Sequence, residues 1–152
     1  MFRRIRLAVL LAFAASLTAT NLVFAKGNFD FITVAGGGVA GELHIVDPAL
    51  TKDWFAFADL PGGAIPAPAS PPSGGYVITR YYIDHGHATP FDQLHYYPDA
   101  ALVYYDGIQG GWSDYDRKWY PAKSAVKELF EREVSSLALQ EALRRMPFLR
   151  RS

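Results

Sequence analysis

His85-Gly86-His87, flanked by Asp84 and followed by Asp92 and His95, is the cluster in this 152-residue chain with metal-ligand side chains. Two imidazoles two residues apart face one way if the chain is extended. His95, from the next strand, would then complete a three-nitrogen site for a divalent metal in a small metal-dependent enzyme or hydrolase. The same letters also form a hairpin turn carrying exposed histidines, because Gly86 lies between the imidazoles and Ala88-Thr89-Pro90 follows. No HExxH helix supports the metal reading, so no cofactor is expected and a divalent metal at His85, His87 and His95 is the alternative. Asp106, Asp114 and Asp116 could offer oxygen ligands to calcium, but their spacing does not match an EF-hand loop and turn formation accounts for them. Asp84, Asp92, Asp106 and Glu42 form no evident acid–base pair, and Ser73 and Ser113 lack a nucleophile turn. No catalytic constellation emerges.

Gly36-Gly37-Gly38-Val39-Ala40-Gly41 fits G-x-G-x-x-G, with Asp59 eighteen residues further on. A nucleotide-binding helix after it would carry Pro48 deep inside, at a cost of ~3 kcal/mol. No alternation of strands and helices follows either, so a glycine-rich hairpin turn is the expectation.

Aromatic side chains concentrate between Tyr76 and Tyr120, which hold all nine tyrosines, two of the three tryptophans and three of the four histidines. Three doublets occur there: Tyr81-Tyr82, Tyr96-Tyr97 and Tyr104-Tyr105. Neighbouring side chains in a strand point to opposite faces, so each doublet sends one ring inward and one outward. The outward rings, taken as Tyr82, Tyr97 and Tyr105, together with Trp112 and Trp119, would make an amphipathic platform. Its candidate partners are a cell-envelope glycan, a peptide or a protein. Packing of these rings into the core is the competing account.

The elements that must position these residues follow from pattern. Phe29–Ala35 and Val39–Val46 predict a hairpin across the glycines, and Asp47-Pro48 starts a short helical turn. Residues 61–75 hold five prolines and four glycines and predict an exposed connector. Tyr76–Ile83, Phe91–Tyr97 and Ala101–Tyr105 predict a meander, with a turn from Asp84 to Pro90. Val126, Leu129, Phe130, Val134 and Leu137 give residues 123–146 one apolar helical stripe. The expectation is a single α+β, mainly β domain: an antiparallel meander sheet with a C-terminal helix packed on it. The hairpin region (26–60) and the aromatic meander (76–122) share that domain, and 147–152 is a basic tail.

Arg3, Arg4 and Arg6 precede the apolar run Leu7–Ala15, and small residues lead to Ala25. This is the layout of a signal peptide over residues 1–25, cleaved near Ala25 to leave a secreted or extracytoplasmic chain that does not span a membrane. Cleavage leaves twelve basic against fifteen acidic residues, a net charge of −3. Residues 27–122 hold four basic and eleven acidic side chains, which argues against nucleic acid as partner of the aromatic stretch. The chain has no cysteine, excluding disulfides and thiolate chemistry.

Tyr76-Val77-Ile78-Thr79-Arg80-Tyr81-Tyr82, Thr89-Pro90-Phe91-Asp92, Val103-Tyr104-Tyr105-Asp106-Gly107 and Trp119-Tyr120-Pro121-Ala122 together resemble small exported bacterial proteins of unknown function. The resemblance implies export and one domain, and no activity.

Overall fold

The computed structural model describes residues 28–146; the expected signal peptide and the basic tail lie outside them. Six strands form one antiparallel sheet: β1 (Phe31–Gly36), β2 (Glu42–Ile45), β3 (Tyr76–Asp84), β4 (His87–Tyr97), β5 (Leu102–Ile108) and β6 (Lys118–Pro121), in the order β2-β1-β3-β4-β5-β6. Helix α1 (Pro48–Thr51) follows β2, and α2 (Ser124–Arg145) follows β6. This is the expected mainly β sheet with a C-terminal helix on it. Among the described residues no helix is long and apolar enough to cross a membrane.

The glycine run closes the β1–β2 hairpin, and Gly36, Gly37, Gly38 and Gly41 all have positive φ. A nucleotide fingerprint is therefore not formed there. The Asp47 side chain accepts from the Ala49 N–H at 2.8 Å and Pro48 opens α1, the start the sequence predicts. The turn from β3 to β4 is tighter than expected: only His85 and Gly86 lie between the strands, with φ of 48° and 81°. Two successive positive φ values match the twist of a two-residue hairpin, so the ladder runs out to Asp84 and His87. Pro90 is tolerated inside β4 because β5 begins pairing at Asp92, leaving Pro90 on a locally open side.

Ile32, Val34, Leu43, Ile45, Ile78, Leu94, Tyr96, Val103, Tyr105 and Tyr120 line the inner face of the sheet. They are covered by Leu50, Trp54, Phe57 and Leu60, and by Val126, Phe130 and Val134 of α2. Phe57 meets Tyr96 at 5.4 Å and Phe130 at 5.7 Å, both edge to face. Lys123 N–H to Phe57 carbonyl (3.0 Å) and Asp59 N–H to Pro121 carbonyl (3.0 Å) tie this cover to the end of β6.

Two charges lie inside that core. Arg80 and Asp92 are 1 % and 0 % exposed. Arg80 Nε donates to Asp92 Oδ1 at 2.7 Å, Nη2 donates to Oδ2, and Nη1 donates to the Trp54 carbonyl at 2.6 Å. Oδ2 also accepts from the Tyr105 hydroxyl at 2.7 Å and the Trp54 indole N–H at 3.2 Å. The Phe29 ring lies 4.5 Å from the guanidinium carbon. A bulge permits this: Arg80 pairs with Asp92 while Tyr81 pairs with Pro90, so Phe91 is the extra residue and both Phe91 and Asp92 are buried.

Burial, reinforced by Glu131 and Asp99, pushes the Tyr96 phenol up to about 12. Burial, followed by the charge and hydrogen bond of Asp92, raises Tyr105 as well. Both groups have folded values above the unfolded one near 10, so the unfolded chain gives up its protons first. Their contribution is complete below pH 10 and is lost as pH rises from there. For Tyr96 alone the loss reaches about 2 kcal/mol by pH 12. Urea midpoints should therefore be flat from pH 8 to 10 and fall steeply above. Tyr96→Phe should flatten the alkaline fall, and an unchanged slope would remove Tyr96 as its source.

Candidate ligand-binding face

The opposite face of the sheet carries the outward residues of every strand. Register places Phe31 beside Tyr81, Thr33 beside Thr79 and His44, Thr79 beside Gln93, Val77 beside His95, and His95 beside Tyr104, which sits beside Trp119. All the rings are half-buried apart from His44, which is exposed. Both α2 and the 47–60 segment pack on the inner face, so neither crosses this one.

The rings form two patches. At one end Phe31 stacks on Tyr81 (centroids 4.7 Å apart, planes within 7°) and touches His44 at 4.1 Å. At the other, Trp119 packs between Tyr97 at 5.7 Å and Tyr104 at 5.3 Å, and His95 meets Tyr104 at 5.8 Å. Tyr97 lies across Gly75, where any Cβ would collide with the ring. That glycine leaves room for the aromatic side chain to settle on the neighbouring strand. Between the patches runs a polar row, Thr33, Thr79 and Gln93, with Gln93 Nε2 donating to Thr79 Oγ1 at 3.2 Å. The outward positions of β1, β3 and β4 contain no lysine, arginine or carboxylate.

The sequence-predicted site residues are placed as follows. Tyr97 and Trp119 are on this face and in contact. Tyr105 is not: it is fully buried and bonded to Asp92, so the outward member of its doublet is Tyr104. Tyr82 also turns inward, against Phe29 at 5.1 Å and Phe91 at 5.3 Å, and the outward member is Tyr81. The bulges at Arg80/Tyr81 and Gln93/Leu94 break strict alternation between strands, and the doublets carry no mark of that. Trp112 stands 76 % exposed in the loop before β6, away from the rows.

The three-imidazole site is not assembled. His85 occupies the hairpin turn with its Nδ1 2.7 Å from Asp84 Oδ1, and His87 opens β4. His95 is eight residues further along the same strand, about 27 Å at 3.4 Å per residue. Among the described residues no group of three or more His, Asp or Glu side chains is placed to hold a metal ion. Asp116 accepts from the Ser113 N–H at 3.0 Å and from its hydroxyl, closing a turn rather than forming a calcium loop with Asp106 and Asp114.

Sequence reasoning missed Tyr81, Tyr104, Phe31 and His44 on the face, and the Arg80–Asp92 pair beneath it. The pair had a signal: Ile78 and Arg80 alternate with outward residues, as do Asp92 and Leu94, so opposite charges fall on the apolar side of two adjacent strands. Compared with known proteins, the chain matches no family model, no curated protein and no solved structure, so the face is interpreted on its own geometry.

Proposed function

We propose that this chain is an exported, non-enzymatic binding protein whose working surface is the outer sheet face, and that its ligand is a neutral glycan. The observation that carries this is the patch of Tyr97, Trp119, Tyr104 and His95 on a face that neither helix crosses, next to an uncharged row of Thr33, Thr79 and Gln93. Aromatic rings stack on the C–H faces of sugar rings, and hydroxyl and amide groups exchange hydrogen bonds with sugar hydroxyls. An anionic ligand would need basic side chains that these rows lack, while the outward carboxylates Glu42 on β2 and Asp106 on β5 flank the uncharged row rather than sit in it. The leader-like residues 1–25 support export.

The test is titration of the purified protein with soluble oligosaccharides of neutral hexoses and N-acetylhexosamines, beside unstructured peptides as controls. Trp119→Ala and Tyr97→Ala should each weaken glycan binding at least about tenfold, equivalent to ~1.4 kcal/mol. Tyr104→Ala should behave alike, and Trp112→Ala, outside the rows, should leave binding unchanged. Binding of peptides but not glycans would overturn the ligand class. Equal binding by wild type and both ring variants would overturn the face.

A further inference from the structure

The two aromatic patches of the outer face are set apart by a distance that selects among ligands by their length. Tyr81 of β3 pairs with Phe31 of β1. Val77, four residues back along β3, pairs with His95 of β4, which pairs in turn with Tyr104 of β5. Tyr104 therefore stands about 14 Å along the strands and about 10 Å across them from Tyr81, a diagonal of about 17 Å. Gln93 lies at the middle of that diagonal: it pairs with Thr79, halfway between Tyr81 and Val77, and sits on the strand between β3 and β5. Its Nε2 donates to Thr79 Oγ1 at 3.2 Å, which holds the amide in place. An amide has a second N–H and a carbonyl oxygen to offer beyond such a bond. Aromatic patch, fixed amide and aromatic patch thus follow one another on a straight course from Phe31 and Tyr81 to Tyr104 and Trp119. Asp106, outward on β5, borders this course next to the rung of Gln93 and Gly107.

We infer, on the glycan reading above, that the ligand is an extended chain of neutral sugars held at two subsites at once. One sugar lies on the Tyr104–Trp119 patch, a later one on the Phe31–Tyr81 patch, and the sugars between them hydrogen-bond to Gln93. A disaccharide reaches one patch only. A longer chain meets the second patch as an intramolecular event, at an effective concentration far above its own in solution. Affinity therefore rises once the chain spans the diagonal and levels off beyond it. Two unconnected sites for short sugars would show no such step.

Calorimetric titration of the purified protein with the disaccharide, tetrasaccharide and hexasaccharide of each neutral hexose or N-acetylhexosamine series tests this. In a series that binds, the hexasaccharide should bind at least about tenfold more tightly than the disaccharide, a difference of ~1.4 kcal/mol, with one chain per protein. Phe31→Ala and Tyr81→Ala should each remove most of that length dependence, bringing the hexasaccharide to within about threefold of the disaccharide. Gln93→Ala should reduce the advantage of the hexasaccharide, and Trp119→Ala should weaken every length. Equal affinity at all lengths, two hexasaccharides per protein, or a length dependence that survives both Phe31→Ala and Tyr81→Ala would overturn the two-subsite arrangement and leave the glycan reading standing. No binding at any length would overturn both.

Discussion

Asp92→Ala is expected to lower folding stability by about 3–5 kcal/mol, measured as the shift in urea unfolding free energy. The carboxylate accepts from Arg80 Nε and Nη2, the Trp54 indole and the Tyr105 hydroxyl. Its removal leaves a guanidinium that is 1 % exposed without a counter-charge, and takes the acceptor from the Tyr105 hydroxyl. Arg80→Met should cost a comparable amount, because it leaves the buried Asp92 carboxylate without its counter-charge. The double variant Arg80→Met/Asp92→Leu discriminates. It removes both charges, so it should be more stable than Asp92→Ala alone. It still removes the acceptor of the Tyr105 hydroxyl, at about 1–3 kcal/mol, so it should remain below the wild type. A loss under about 1 kcal/mol in Asp92→Ala, or a double variant no better than that single change, would mean that water reaches the pair.

Phe130→Ala should cost about 3–5 kcal/mol by a different route, the emptying of a packed site. Phe130 is fully buried, with the rings of Tyr76 at 5.0 Å, Tyr96 at 5.1 Å and Phe57 at 5.7 Å around it in edge-to-face contact. Through it α2 meets both the sheet and the 47–60 cover. Phe130→Leu, which fills much of the space, should cost less than half as much. Leu139→Ala, on the same helix but 61 % exposed, should stay within about 0.5 kcal/mol. If Phe130→Ala and Leu139→Ala were equally mild, α2 would not be held by its central turn. Circular dichroism at the helix band, recorded through the same unfolding curve, would show whether the helix detaches before the sheet melts.

The sheet, its meander and the final helix were legible because each rests on local chemistry: glycines at a hairpin, β-branched runs, an apolar stripe at helical spacing. The direction of each tyrosine doublet was not. Tyr81, Tyr97 and Tyr104 face out and Tyr82, Tyr96 and Tyr105 face in, so the first or the second member is outward depending on the strand. That choice is made by strand phase and two one-residue bulges, which depend on pairing partners far away in sequence. The histidines show the converse: His85 and His95 look adjacent on paper and are separated by most of a strand. Ile65, in the connector expected to be exposed, gives its N–H to the Trp119 carbonyl at 2.8 Å and forms a bridge on the outer edge of β6.

That bridge bears on how the molecule behaves among copies of itself. The longest ladders, β3 with β4, lie in the interior of the sheet, while the two borders are four-residue strands. One border is flanked by the glycine turn and Pro48, and the other ends at Pro121 and is partly occupied by Ile65. Neither presents the long flat run of unpaired amides from which one sheet grows into the next. A chain rich in tyrosine and β-branched residues, the composition that stacks into fibrils when its strands are free, thus keeps its adhesive strands in the middle.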